Sequence, residues 1–243
     1  MRIFGLIGYP LGHSFSKKYF EEKFVREGIT DVAFENFSIP SIDLFPELWK
    51  QYPQLCGVAV TIPYKQQVLP YLDTISSEVA AMQACNCIKL VAGKLIGHNT
   101  DIIGFEQSLL PYLKPEHTQA LILGSGGAAA GVAFVLGRLG IRYQFVSRNP
   151  DVHQLSYAQL DAAQIDIHRL IINTTPLGTY PVVDACAPIP YQYLTNHHHC
   201  FDLVYNPAET LFMRKAKAQG ASVQNGYDML TIQAEANWRI WNE

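Results

Sequence analysis

Lys65 follows an apolar, strand-like run, Gly57-Val58-Ala59-Val60, through a hydroxyl and a rigid turn, Thr61-Ile62-Pro63-Tyr64. A lysine flanked by apolar residues has its ammonium destabilised, and an amine tuned in this way can pass a proton near neutral pH. Further along, Gly97-His98-Asn99-Thr100-Asp101 supplies an amide and an acid. A carboxylate at Asp101 could orient the lysine and hydrogen-bond a substrate hydroxyl. Open α/β sheets bind ligands beyond the carboxyl ends of their strands, which is where Thr61 and Lys65 would lie. The blander readings are a solvated lysine at a helix start and an aspartate that only caps the next helix. His13 and His98 titrate closer to neutrality but rank second, because nothing in the sequence brings either ring to a substrate.

A second cluster is built for an anion. Leu121-Ile122-Leu123-Gly124-Ser125-Gly126-Gly127-Ala128-Ala129 is a buried-strand run followed by G-x-G-x-x-A and a small-residue helix. Gly124 permits the tight turn, Gly126 lets the backbone approach a pyrophosphate, and Ala129 lets the helix pack closely. Free N–H groups at Gly127 and Ala128 would meet the anion, with Ser125 beside them. The next strand ends about 20 residues on, where an NAD enzyme places an acid for the ribose hydroxyls. Here it runs into Ser147-Arg148-Asn149. A guanidinium without an adjacent acid suits a 2′-phosphate, so NADP is expected over NAD, against the alternative of a solvated surface arginine.

The elements that carry these groups alternate. Arg2 to Ile7, Ala33 to Ser38 and Gly57 to Val60 read as strands; Ser16 to Glu27, with Ser16 as N-cap, and Leu44 to Gln51 read as helices. Helical stretches follow near Gln66 to Leu72 and Glu78 to Met82. Asn86 to Val91 and Lys94 to Gly97 meet across Ala92-Gly93 as a hairpin. From Gln119 the alternation restarts: strands at Ala120 to Leu123, Tyr143 to Val146, Leu170 to Ile172 and Phe201 to Val204, a helix to about Leu139, and a final helix over Asp228 to Trp241. The joint is a helix from Ile102 to Leu113 that Pro111 and Pro115 interrupt near its end.

A net charge of -3 without a basic block offers no footprint for nucleic acid or anionic lipid, which leaves a small-molecule partner. With 49% hydrophobic and 16% charged residues, the 243-residue chain is globular. Ala120 to Gly137 approaches the length of a membrane span, but its clustered glycines suit a turn between two elements better. The N-terminus lacks a signal-peptide core, so a cytoplasmic protein is expected. The five cysteines read as reduced thiols. Consecutive side chains in His197-His198-His199-Cys200 would alternate faces, so no metal is expected there.

Taken in order, these segments resemble the shikimate dehydrogenases over nearly the whole chain. Gly8 to Ser16 looks like the family's N-terminal serine motif, which implies that Ser14 and Ser16 hold a substrate carboxylate. Val60 to Lys65 resembles the motif of its catalytic lysine, and Asn99-Thr100-Asp101 that of the partner aspartate. Asn86 stands at a substrate-binding asparagine, and Thr61 joins the substrate residues. Asn173 to Gly178, with Thr174, resembles the turn near the nicotinamide. Asp202 to Pro207 resembles the segment of Leu203 and the substrate-facing Tyr205. Gly226 to Gln233 matches the C-terminal motif, which implies Gly226 beside the nicotinamide and Gln233 on the substrate.

The resemblance implies an α/β fold of two domains: an open α/β substrate-binding domain, residues 1–102 completed by 228–243 as the C-terminal helix returns, and a Rossmann-like NADP-binding domain, 103–227. It implies NADPH-dependent reduction of 3-dehydroshikimate to shikimate; a monomer or homodimer without a metal is expected. The alternatives are a quinate/shikimate dehydrogenase with relaxed NAD or NADP use, or a catalytically silent nucleotide-binding relative. Departures stand at Lys17, Phe20, Glu21, Ala59 and Cys87, and none removes a residue assigned to chemistry. Taken singly, Ser14 and Ser16 could be helix caps, Asn99 a turn former, Tyr205 a core aromatic and Gln233 a surface residue.

Overall fold

The computed structural model of the chain describes residues 1–12 and 14–243; His13, the second-ranked proton carrier, lies outside the described residues. The chain divides into two compact units, Met1–Asp101 with Gln233–Glu243, and Ile102–Ile232.

Unit 1 carries β1 (Arg2–Gly8), α1 (Phe15–Glu27), β2 (Val32–Ser38), α2 (Phe45–Gln51), β3 (Leu55–Val60), α3 (Tyr64–Gln67), β4 (Thr74–Ile75), α4 (Ser77–Met82), β5 (Cys87–Val91) and β6 (Lys94–His98). They form a sheet of order β2-β1-β3-β5-β6-β4. Its β2-β1-β3 half is parallel, and β5 runs antiparallel to both β3 and β6. Alternation along the strands divides the core: Ile7, Phe37, Val58 and Val60 fill one side, and Phe4, Leu6, Phe34 and Ala59 the other. Ala92 and Gly93, both at positive φ, close the hairpin with the turn geometry that follows strand twist.

Ser14 rather than Ser16 caps α1: its backbone is extended and its Oγ accepts from Lys17 N–H at 3.3 Å. An N-cap oxygen reaches the third helical residue, and Lys17 stands three after Ser14. The helix expected over Gln66 to Leu72 breaks into α3 and a 3₁₀ turn at Leu69–Tyr71, because Pro70 cannot donate to the helical ladder.

Unit 2 holds β7 (Gln119–Leu123), α6 (Gly127–Arg138), β8 (Arg142–Ser147), β9 (Leu155–Ser156), α7 (Ala162–Ile167), β10 (Leu170–Asn173), β11 (His199–Asp202), α8 (Leu211–Ala218) and β12 (Ser222–Gln224). All pairings are parallel in the order β12-β11-β10-β7-β8-β9, the doubly wound arrangement of dinucleotide-binding domains. The chain passes between units within α5 (Asp101–Leu109), which a 3₁₀ turn at Leu110–Tyr112 succeeds, and within α9 (Tyr227–Asn242). β11 lies two residues earlier than the sequence suggests, since Val204 N–H is taken by Asp202 Oδ1 at 3.1 Å instead of a neighbouring strand.

The C-terminal part of α9, from Gln233, is bound into unit 1 by aromatic and polar contacts. Trp241 stacks on Phe4 with ring centroids 4.9 Å apart, and its Nε1 donates to Ile88 O at 3.1 Å. A Cβ on Gly57 would come within 2.5 Å of the Trp241 ring, so glycine at this point of β3 is what lets the indole seat. Lys23, buried on α1, donates to Glu235 and Glu27, each at 2.8 Å, and Tyr19 OH donates to the Glu235 carboxylate.

Among the described residues no helix is long and apolar enough to cross a membrane, and no group of three or more His, Cys, Asp or Glu could hold a metal ion. The five cysteines are free thiols. The three histidines separate: His197 is exposed, His198 donates from Nε2 to Ile165 O at 3.0 Å, and His199 lies fully buried, stacked on Tyr112. The His199 ring lies 3.3 Å from Gln224 Oε1 at Nε2 and 2.9 Å from Ser222 Oγ at Nδ1, and the Ser222 hydroxyl itself donates to His198 O at 3.1 Å. Burial lowers the His199 pKa from 6.5 to about 4.

The folded protein therefore resists protonating this ring, whereas the unfolded chain accepts the proton near 6.5. Its contribution is full above pH 6.5 and is lost as pH falls toward 4. Between about pH 7 and about pH 5 the wild type should lose about 2 kcal/mol more than His199→Gln. Urea denaturation at the two pH values measures this, and parallel losses would remove His199 as the acid-sensitive group.

Candidate active site

β1 and β3 run side by side and parallel, so their carboxyl ends open at one edge of the sheet. The pairing continues into the exit loops: Thr61 N–H donates to Ile7 O at 2.9 Å, and Tyr9 N–H to Ile62 O at 3.2 Å. A Cβ on Gly8 would stand 2.5 Å from Thr61 Cγ2, so only glycine allows these loops to approach so closely. The chain then turns through Pro63 into α3, and Lys65 falls in its first turn.

Lys65 Nζ donates to Asp101 Oδ2 at 2.6 Å, with the two side chains 33% and 28% exposed. The pair is thus formed and partly open to solvent. Residues 84–86 hold it from behind. Cys85 N–H donates to Lys65 O at 2.8 Å, Asn99 Nδ2 to Ala84 O at 2.9 Å, and Asn86 Nδ2 to Thr100 Oγ1 at 3.0 Å. Asn86 Oδ1 accepts from Thr100 N–H at 2.6 Å, and its main chain bonds to Val60 and His98. Asn86 is buried, fixed between the ends of β3 and β6. Burial pushes the Cys85 thiol up to about 12, which leaves it an unreactive packing group beneath the pair. His98 lies in β6 opposite Cys87, and burial followed by Lys89 lowers its pKa.

Of the other residues expected on the substrate, Ser14 and Ser16 are half-buried at the start of α1, and Thr61 is half-buried at the end of β3. Capping and ligand binding are compatible at Ser14, because a hydroxyl that accepts from Lys17 N–H still has its own proton to donate. Gln233 is buried on α9 within unit 1. Tyr205 is exposed and belongs to unit 2, apart in the chain's division from the rest of that group.

The residues expected to hold the pyrophosphate lie where the strand order of unit 2 reverses, between β7 and β10. Thr174, just past β10, donates from N and Oγ1 to Leu123 O at 3.0 and 2.7 Å, which ties it to the glycine loop. Gly124 has φ of +106°, and a Cβ there would stand 2.9 Å from Thr174 Oγ1. Gly126 and Gly127 are different: an added Cβ would meet nothing of the protein within 4 Å. Their small size therefore serves no internal packing, and with Ser125 and Ala128 they are exposed at the start of α6. No side chain caps this helix start, so its N–H groups face open space as a pyrophosphate requires. Ala129, by contrast, is buried against the sheet.

At the end of β8, Ser147 Oγ accepts from Asn149 N–H at 3.3 Å and Arg148 is exposed. The nearest acid downstream, Asp151, is engaged by its own turn through His153 N–H and Gln154 Nε2. The residues present therefore fit a 2′-phosphorylated dinucleotide.

A depression of about 450 Å³ beyond β10 and β11 is lined by Thr174, Thr175, Pro176, Thr179, Tyr180, Leu203, Val204, Tyr205 and Asn206. Sequence reasoning missed Thr175, Thr179 and Tyr180, although the polar run after an apolar strand was a signal for them. Gly226 N–H donates to Val204 O at 3.2 Å, and a Cβ on Gly226 would overlap Leu203 O at 2.1 Å. Close backbone approach is thus the immediate reason for glycine there. Asp202, also unassigned from sequence, accepts from Thr210 Oγ1 at 2.6 Å and Asn173 Nδ2 at 2.9 Å, joining β10, β11 and the N-cap of α8 beneath the depression.

The family model for the shikimate dehydrogenase substrate binding domain matches residues 6–88. The NADP(+) shikimate dehydrogenase of Chlorobium chlorochromatii is 35% identical, over 99% of this chain and 91% of its own. Two solved structures superpose along the chain. A chorismate mutase/shikimate 5-dehydrogenase fusion protein from Clostridium acetobutylicum has a TM-score of 0.88 and 33% identity, covering 99% of this chain and 91% of that one. Shikimate 5-dehydrogenase from Thermus thermophilus, in complex with NADP(H) and shikimate, has a TM-score of 0.86 and 31% identity, covering 99% and 93%. On a match of this length and identity, the chain belongs to the shikimate dehydrogenase family.

Proposed function

We propose that this chain is an NADP-dependent shikimate dehydrogenase, which reduces the ketone of 3-dehydroshikimate to the hydroxyl of shikimate, and the reverse, on the route to chorismate and the aromatic amino acids. The observation that carries this reading is the 2.6 Å contact between Lys65 Nζ and Asp101 Oδ2, about a third open to solvent. NADPH, when bound, supplies the hydride. Lys65 donates a proton to the ketone oxygen as its charge develops, and as a neutral amine takes the hydroxyl proton in the reverse direction. Asp101 orients the ammonium through one oxygen and accepts from a substrate hydroxyl at the other.

Ser14 and Ser16 donate hydroxyl protons to the substrate carboxylate, with the positive end of α1 behind them. Thr61, Asn86, Gln233 and Tyr205 hydrogen-bond the substrate hydroxyls and hold the reacting carbon in place. Gly124, Ser125, Gly126, Gly127 and Ala128 receive the pyrophosphate, and Ser147, Arg148 and Asn149 the 2′-phosphate. Thr174, Leu203 and Gly226 flank the nicotinamide. Unit 1 is thus the substrate-binding domain and unit 2 the NADP-binding one.

A paired assay of 3-dehydroshikimate reduction with NADPH and NADH tests substrate and cofactor together. Turnover should require the ketone and favour NADPH. Arg148→Ala should raise the KM for NADPH by about 10–100-fold while leaving that for NADH within about twofold, the worth of a charge-assisted contact. No turnover with either cofactor would refute the reading, and an unchanged NADPH preference in Arg148→Ala would refute the role of the guanidinium.

A further inference from the structure

Thr100 immediately precedes Asp101 at the start of α5 and is fully buried. Three hydrogen bonds fix it. Its N–H donates to Asn86 Oδ1 at 2.6 Å, its Oγ1 accepts from Asn86 Nδ2 at 3.0 Å, and its hydroxyl proton goes to Asn237 Oδ1 at 2.6 Å. Asn237 is itself buried, on the part of α9 that belongs to unit 1, one helical turn beyond Gln233. A hydroxyl has one proton. Asn86 Oδ1, held by the Thr100 N–H, also lies 3.2 Å from Thr100 Oγ1, but the shorter contact to Asn237 Oδ1 takes the proton, so Oγ1 meets Asn86 as the acceptor of its Nδ2.

We infer that Asn237 is a positioning residue for the Lys65–Asp101 pair, acting from α9 through Thr100. Its carbonyl oxygen fixes the Thr100 hydroxyl rotor, and this locks the backbone from which the Asp101 carboxylate projects onto Lys65. Asn86, which shares the network, is held by the same contacts. The Trp241 indole, bonded to Ile88 O, holds α9 against β5, so the amide at Asn237 is delivered by a rigid support. In a buried network each bond polarises the next, and a lost acceptor leaves the others free to rearrange. Displacing a reacting group by about an ångström can cost on the order of 100-fold in rate, so a partial loosening should be readily measured.

The inference rests on the proposed dehydrogenase activity, and wild-type turnover is its first control. Asn237→Leu, Thr100→Val, the double variant and Thr100→Ser are compared by kcat, by KM for shikimate and by melting temperature. Asn237→Leu should lower kcat about tenfold with KM within about twofold. The double variant should fall no further in kcat than Thr100→Val alone, because Asn237 acts only through that hydroxyl. Thr100→Ser, which keeps the hydroxyl, should recover most of the loss. If Asn237→Leu fails to fold, Asn237→Ala carries the same expectation.

Wild-type kcat in the Asn237 variant, or losses that multiply in the double variant, would overturn the inference. A kcat loss that disappears on assay well below the melting transition would reduce Asn237 to a stability role and also overturn it. An inactive wild type would instead bring down the functional reading, and the inference with it.

Discussion

Lys65→Met should lower kcat for 3-dehydroshikimate reduction by about 1000-fold, within the range that a positioned general acid contributes. Methionine keeps the length and apolar volume of the lysine stem but removes the Nζ that stands 2.6 Å from Asp101 Oδ2. The carboxylate left behind is more than a quarter exposed, so water can solvate it and the fold should persist. NADPH affinity, read by quenching of protein fluorescence, should be unchanged, because Lys65 and the glycine loop belong to different units. Asp101→Asn should cost less, about 10–100-fold, since an amide oxygen still accepts from the ammonium but no longer with full charge. Steady-state kinetics decides: Lys65→Met within twofold of wild type would remove the lysine from the chemistry.

Gly126→Val is expected to weaken NADPH binding by at least about 100-fold while shifting the melting temperature by only about 2 °C. The dissociation between these effects is the informative part. Gly126 has extended backbone, with φ of -85° and ψ of -171°, which a β-branched residue adopts readily. No protein atom lies within 4 Å of an added Cβ, so the isopropyl group enters open space. The modest stability cost is that of an unfavourable residue at a helix N-cap. The lost affinity comes from filling the volume that a pyrophosphate needs against the first N–H groups of α6. Calorimetric titration with NADPH measures it, and wild-type affinity would take the glycine loop out of the cofactor cradle. Gly226→Ala should behave in the opposite way, losing stability before any ligand is added, because its Cβ would overlap Leu203 O.

The glycine loop and the lysine motif were legible as local structure because in each a strand, a turn and a helix start follow one another in sequence. The same locality explains what was not legible. Thr100 and Asn237 are 137 positions apart, and no periodicity or spacing announces a hydrogen bond between them. Ser14 and Ser16 both qualify as N-caps by type, and the choice was made by backbone conformation, extended at Ser14. β12 and β9 have three and two residues, too few for any alternation to appear. α8 is another matter, since Thr210 caps it, Lys215 and Lys217 lie in its last turn and Gly220 follows at positive φ. These signals stand in the sequence and would have located the helix. Asp202 was hidden inside a motif known for its neighbour Tyr205, and only its buried bonds to Thr210 and Asn173 reveal it as the post beneath the depression.

Unit 1 is assembled from two separated stretches of chain, and this sets an order on its birth at the ribosome. When Asp101 has emerged, Phe4, Phe20 and Phe34 still lack the indole of Trp241 that covers them, and Thr100 has no Asn237 to receive its proton. Translation must first deliver all of Ile102–Ile232, a wait on the order of ten seconds at about 5–20 residues per second. Unit 1 therefore cannot close its aromatic core until Gln233–Glu243 has been made. A nascent chain arrested before Gln233 should display a bare aromatic face to chaperones although most of the protein has already been made.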